Sequence, residues 1–486
     1  MKPYQKKTHT NMINLRTVRL LPLFLLLALP VVSRSQPVIF PIATNGAVMS
    51  FAFSGSNYLV GVETPRTNYA LLTASNGIAA QLLSTNGDRI SSLITVPRSG
   101  ISTCVAFDGT NYLLIWEDDG FGASYGTGGF QIYGQFISKA GAAIGSPFAI
   151  SDANVWFDGI KVMAYGSGKY LVTYTELFNL AMGAGSTNRF IAGKLVSPNG
   201  TLGGEFRIST GYGDASDVTY DGANFFVVWR EDSNDYEIRG RFVSPAGVPG
   251  TEISVNASPA PSDNPKAVAF DGTNYLVVWD DEVDTNTYDW NVLGQLVSPA
   301  GTLVGGVIPI CTEPGPQLPT GVAFDGNHYL TVWMDMSNPA NWDCYGQFLN
   351  RNGSLFGGKL SINANPGNQM CGVGYANGKY AVAVNSGIVM GEGGISQVDA
   401  AFGYFLAPPT DPRVVTNDGN FGIRANLFGF TIAGYTNALV AVDACTNLAS
   451  PIWQPVQTNT LTGGSAFFSD SNWLNHPERF YRLRLP

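Results

Sequence analysis

The residues able to do chemistry gather in five stretches where an otherwise regular sequence turns acidic and aromatic. These are Glu117-Asp118-Asp119 through Gly129, Glu176 through Asn188, Arg230 through Glu237, Asp280-Asp281-Glu282 through Trp290, and Met334-Asp335 through Trp342-Asp343. Carboxylates beside Trp and Tyr suit two chemistries: sugar rings stacked on aromatic faces with polar bonds at their edges, or calcium held by several oxygens. No stretch has the spaced Asp pattern of an EF-hand or of the calcium-binding nonapeptide repeats, so Ca2+ enters only as a cation these oxygens would accept, and no other cofactor is called. The candidate contact residues are Asp119, Asp232, Tyr236, Asp281, Trp290 and Trp342.

Catalytic groups are scarce. Beyond the N-terminal segment the histidines are His328 and His476, too few for a histidine metal cluster or a Ser/His/Asp triad. Asp281 and Glu282 are a carboxylate pair of the kind glycosidases use, but neighbours on a strand point to opposite faces. The reading therefore leans away from an enzyme and names no catalytic or metal-binding residue. The five cysteines, Cys104, Cys311, Cys344, Cys371 and Cys445, show no C-x-x-C spacing. They read as buried free thiols, with Cys311 and Cys344 the candidate disulfide pair.

The scaffold that must hold these stretches is written seven times. One phrase, clearest as Val268-Ala269-Phe270-Asp271-Gly272-Thr273-Asn274-Tyr275-Leu276-Val277-Val278-Trp279, recurs around Tyr58, Tyr112, Tyr170, Phe225, Tyr275, Tyr329 and Tyr380. Its period of about fifty to sixty residues points to a β-propeller. Within a copy, Val268–Phe270 and Tyr275–Trp279 form a hairpin about the Asp271–Asn274 turn. Val292–Val297 is a third strand, and Val307–Ile310 a fourth after the Ser298-Pro299-Ala300-Gly301 turn. Asp108, Asp221, Asp271 and Asp325 read as turn formers whose side chains bond nearby backbone N–H groups. Trp116, Trp229, Trp279 and Trp333 read as sheet-packing residues, and Gly134, Gly193, Gly240, Gly294, Gly346 and Gly403 as places where the neighbouring sheet comes close. Because antiparallel strands alternate, all second-to-third-strand loops and blade-to-blade links fall on one face, where binding on a rigid scaffold usually resides.

The ends set the domain boundaries. Residues 1–35 read as a signal peptide: a basic stretch from Lys2 to Arg19, then an apolar run from Leu20 to Val32 too short to span a bilayer. Residues 36–406 are the propeller, with strand 37–42 supplying the missing fourth strand of blade seven and closing the ring. Residues 407–412 are a Pro-rich linker and 413–486 a C-terminal β module. With 45% hydrophobic and 13% charged residues the chain suits a compact all-β protein. A net charge of −9 argues against nucleic acid, which demands a basic footprint.

The phrase at 270–279, followed by Gly294-Gln295-Leu296-Val297-Ser298-Pro299-Ala300-Gly301, resembles a repeat of exported bacterial β-propeller proteins, mostly uncharacterised. The resemblance covers about three-quarters of the chain, implies an extracellular propeller, and carries over no catalytic residue. The Ser-x-Asp-x-Gly-x-Thr-Trp box of sialidase propellers is missing from every blade. Phe428-Gly429-Phe430 with Ile432 and Gly434, and the terminal Arg479-Phe480-Tyr481-Arg482, resemble a C-terminal module of secreted proteins of the Verrucomicrobia and related bacteria; its placement suggests sorting or surface attachment, with an ordinary accessory sandwich domain as the alternative. The expectation is thus an all-β chain: a seven-bladed β-propeller of four-stranded antiparallel blades plus a small C-terminal β-sandwich-like domain. It would be secreted or held at the cell surface, with no membrane span, and would bind an extracellular glycan or protein through its acidic, aromatic loop face. A polysaccharide-degrading enzyme on the same face and a structural envelope protein are the alternatives.

Overall fold

The computed structural model describes residues 39–44, 46–64, 77–118, 131–151, 162–177, 189–231, 237–256, 264–284, 289–391, 394–435, 438–476 and 478–484. The signal-peptide reading lies outside them. The chain divides into two units, residues 37–407 and a C-terminal unit from 408.

The larger unit is a β-propeller. Among the described residues it contains seven four-stranded antiparallel sheets, in six of which the strands follow chain order. Their first strands begin at Ala47, Ile101, Val162, Gly213, Asn264, Gln317 and Gln369. Each first strand touches the next, and the last returns to the first, so the sheets form a ring. In the seventh sheet Gln369–Ala376, Lys379–Ser386 and Ala400–Leu406 are completed by Ile39–Thr44, antiparallel to Ala400–Leu406.

Each piece of the repeated phrase has a physical task. Asp108, Asp221, Asp271 and Asp325 accept the backbone N–H groups two and three residues on, at 2.6 to 2.7 Å, which folds the first hairpin. The glycine that follows in each turn has φ near +90° to +100°, a conformation only glycine adopts freely. The tyrosine that opens the second strand reaches back to the previous blade's turn. Tyr112 donates to Asn57 Oδ1 (2.6 Å), Tyr275 to Asp221 Oδ2 (2.5 Å) and Tyr380 to the His328 carbonyl (2.8 Å). Trp116, Trp229, Trp279 and Trp333 are fully buried against the preceding blade, as Trp279 is against Ile238 and Val255.

Two sequence readings are corrected here. A Cβ on the third-strand glycines would strike side chains of its own blade, Ile150 and Leu113 at Gly134, and Ile310 and Leu276 at Gly294. The neighbouring sheet is not what crowds them; bulky residues on strands two and four of the same sheet lean over the gap. The fourth strands also start earlier than expected, at Leu303 rather than Val307 in blade five. They cross a register shift opposite Gln295, whose amide spans the irregularity by donating to the Val304 carbonyl (3.1 Å). Gln81, Gln135 and Gln347 do the same in their blades.

The C-terminal unit has one sheet of Arg413–Val415, Leu427–Ala433, Gly422–Arg424 and Ser465–Asp470, and another of Gln454–Thr460, Leu439–Cys445 and Phe480–Arg484. Phe428, Phe430 and Phe468 of the first sheet pack on Tyr481 of the second. Gly422–Arg424 and Leu427–Ala433 form a hairpin, in which Ala425 and Asn426 both take positive φ in a two-residue turn.

Candidate functional site

Of the loop face, the part fixed best by described residues runs from blade five to blade seven. The second strand of blade five, Tyr275–Asp284, and its third, Asp289–Val297, extend as an arm in which Asp281 pairs with Asn291 and Glu282 with Trp290. The arm is tied to the link between blades five and six. Asp289 Oδ1 accepts the Gly315 N–H (2.9 Å), the Trp290 N–H reaches the Gly315 carbonyl (3.3 Å), and Trp290 bridges to Pro316. The same link holds the blade-six loop: Met336 N–H donates to the Pro316 carbonyl (2.9 Å) and Ser337 Oγ to that of Pro314 (3.2 Å).

That loop is stitched onward to blade seven. Gly367 N–H donates to Asn341 Oδ1 (2.7 Å) and Trp342 N–H to Asn368 Oδ1 (3.3 Å), while Asn368 exchanges backbone and side-chain bonds with Ile388. The Trp342 ring packs half-buried on Ala47, Ile388 and Val398. The result is a continuous rim over three blades, held at every junction by a backbone or amide hydrogen bond. It brings Asp281, Trp290 and Trp342 onto one structure. Asp119, Asp232 and Tyr236 lie outside the described residues. Trp290 and Asp281 are half-buried, as is Trp342, so none stands free of the scaffold as a fully exposed platform.

Charge is divided unevenly around this face. On blades two to four, acids are met by arginines. Asp118 holds Arg98 (2.5 Å), which lies 3.8 Å over the Tyr133 ring; Asp214 holds Arg189 (2.8 Å) and Arg230 (3.4 Å); Arg239 lies between Glu231 and Glu237. Burial pushes the Glu231 carboxyl above its usual range, and Arg239 pulls it back. On blades five and six, Glu313 pairs with Lys359, whereas Asp281 and Glu282 have no ion pair among the described residues. Among the described residues, two acids without an ion pair therefore lie on the arm that carries Trp290.

Among the described residues no three His, Cys, Asp or Glu side chains group as metal ligands. His328 opens the second strand of blade six, at the end of the sheet away from this loop face, with its ring tilted against Phe356 at a centroid distance of 4.3 Å. His476 belongs to the C-terminal unit. The proposed Cys311–Cys344 contact does not form: Cys311 lies 4.0 Å from Gln317 Oε1, and Cys344 meets Cys371 instead. The rim residues that sequence reasoning passed over are Asp289, Gly315, Asn341 and Asn368; the Pro314-Gly315-Pro316 turn was the available signal, since it marks a rigid inter-blade link.

No protein-family model matches the chain, and no curated protein matches its sequence. Among solved structures it is similar to the subtype N10 neuraminidase-like protein of A/little yellow-shouldered bat/Guatemala/060/2010, at 9% identity and a TM-score of 0.41, over 76% of this chain and 98% of that one. It is similar too to the subtype N11 neuraminidase-like protein of A/flat-faced bat/Peru/033/2010 (11%, 0.38, 76% and 89%). A third likeness is to an alpha-L-arabinofuranosidase from Lactobacillus brevis (11%, 0.35, 55% and 96%). At these scores the likenesses carry no argument about activity. No described helix is long and apolar enough to cross a membrane.

Proposed function

We propose that the protein is a secreted or surface-held binding module whose blade five-to-seven rim engages an extracellular glycan, with the C-terminal unit serving attachment or sorting. The observation that carries this reading is the cross-strand pairing of Trp290 with Glu282, with Asp281 next along the strand, on an arm anchored through Asp289 and Gly315. An indole beside acceptor oxygens matches a sugar's apolar ring face and hydroxyl edge. The ties of Asp289 and Trp290 to Gly315 pre-order the site and reduce the entropy cost of binding.

Screening the purified protein against a polysaccharide panel tests the proposal, reading both retention and release of shorter products. Trp290→Ala should weaken binding to the retained glycan by about 1 to 3 kcal/mol, and Asp281→Asn and Glu282→Gln by less. Retention unchanged in Trp290→Ala would move the site off this rim. Product release would favour the polysaccharide-degrading alternative. Trp342→Ala is a poorer probe, because its ring also supports Ala47, Ile388 and Val398 and its loss should cost stability.

A further inference from the structure

Cys344 is the second residue of the third strand of blade six, Asp343–Asn350, opposite Met334. Cys371 lies in the first strand of blade seven, opposite Val384. Both are free thiols, and their side chains interact across the seam between the two blades: Cys371 reaches the Trp333 carbonyl, next to Met334, the residue that pairs with Cys344. Cys371 Sγ also lies 3.7 Å from the Trp333 carbonyl and 3.7 Å from Thr320 Oγ1, so its position is fixed from blade six by two further groups. Both residues are buried, at 0% and 4% exposure. Among the described residues the other three cysteines have no thiol partner: Cys104 is in blade two, Cys311 faces Gln317, and Cys445 is in the C-terminal unit.

We propose that Cys344 and Cys371 form a disulfide that staples blade six to blade seven. The bond would enclose the fourth strand of blade six, Leu355–Asn363, and the link carrying Asn368, and would pin the base of the Trp342 loop to the blade that closes the ring. Chemically, the step is thiol–disulfide exchange with a small-molecule or protein disulfide. One thiolate attacks the oxidant's sulfur and releases the first oxidant thiol. The second cysteine then attacks the mixed disulfide, forming the Cys344–Cys371 bond and releasing the second oxidant thiol. Two protein thiols are oxidised and one oxidant disulfide is reduced to two thiols. Because the folded seam excludes solvent, exchange takes place before the seam packs or on its local opening.

The test refolds the full chain in an oxidised/reduced glutathione buffer, denatures it under acid quench and alkylates it without reductant. The expected result is three alkylated cysteines of five and a single cross-linked peptide joining the segments that contain 344 and 371. Reductant should restore five alkylations and lower the melting temperature. Cys344→Ala and Cys371→Ala should each give four alkylated cysteines whether or not they fold well. A Cys104→Ala/Cys311→Ala/Cys445→Ala variant should retain the cross-link and show no alkylation. Five alkylated cysteines in the oxidised wild type, or a cross-link through Cys104, Cys311 or Cys445, would overturn the assignment.

Discussion

Two seams of the propeller use the same repeat position by position and end up differently packed. Between blades four and five, Tyr275 donates to Asp221, Trp279 fills the seam, and Phe226 and Phe242 close on Tyr275 at 4.6 and 5.7 Å. Asp217 adds a tie by accepting the Val268 N–H (2.7 Å). Between blades seven and one, the tyrosine is Tyr58, and its hydroxyl reaches only the Ala376 carbonyl at 3.3 Å. Val62 stands where the tryptophan would be. The tie is Asn385, which bonds both the N–H and the carbonyl of Val48. A cavity of about 20 Å3 remains, lined by residues including Phe40, Ile42, Tyr58, Leu83, Ala381 and Ala383. This seam, which departs from the repeated phrase at Ala376 and Val62, is also the one next to the strand borrowed from the far end of the chain. Ring stability therefore rests unequally on its seams, and closure depends on the borrowed strand more than on side-chain ties.

Removing that strand should have the largest effect. Deleting residues 39–44 unpairs the edge of Ala400–Leu406 and exposes what Phe40 and Ile42 bury, a loss of about 3 to 6 kcal/mol from apolar burial alone. Thermal unfolding followed by circular dichroism should show a much lower midpoint and concentration-dependent aggregation. A midpoint near wild type would mean that the ring closes by other means.

The ties themselves should respond differently to pH. Burial raises the Asp217 carboxyl to about 6, while the Val268 and Val218 N–H groups pull it down. A carboxyl whose folded pKa exceeds its unfolded value near 3.8 favours the folded state fully below pH 4, and that favour is lost as pH rises through 6. The change amounts to about 3 kcal/mol of stability between pH 4 and 7 from this group. Asp217→Asn should flatten the pH profile of denaturant unfolding, whereas Asn385→Asp at the closing seam should introduce a pH dependence of its own. An Asp217→Asn profile parallel to wild type would show that the carboxylate is solvated well enough to ionise freely.

Next in size comes the tyrosine clasp. Tyr275→Phe leaves a partly buried Asp221 oxygen without its donor and should cost about 1 to 3 kcal/mol, while Tyr58→Phe gives up a long bond and should cost less than about 1 kcal/mol. Equal losses would erase the difference between the seams.

The phrase around Tyr275 made the sheets, turns and closing strand readable, because alternation and turn chemistry are local and repeat seven times. What spans two blades was not readable. Nothing in the phrase says that Tyr275 answers the aspartate of the preceding copy, or that the crowding at Gly294 comes from Ile310 of its own sheet. The loop face was legible as a composition of acids and aromatics, but its division into arginine-neutralised and free acids was not. Arg98 and Asp118, or Arg189 and Asp214, lie twenty or more residues apart and meet only after folding. The same holds for Cys344 and Cys371, which spacing alone did not join.

The smallest expected effect isolates packing from hydrogen bonding. Val60 and Val277 occupy the same repeat position, both buried, one beside the closing-seam cavity and the other in the filled seam between blades four and five. The hollow of about 20 Å3 has room for roughly one added methyl group, whose burial should make Val60→Ile more stable by about 0.5 to 1 kcal/mol. Val277→Ile has no void to enter. It must displace Phe226 or Trp279 and should cost about 1 to 3 kcal/mol. Measured side by side in urea, the two substitutions should shift the midpoint in opposite directions with unchanged slopes. The same sign in both would mean that the closing seam is already as tightly packed as its neighbours and that its weaker hydrogen bonds alone set it apart.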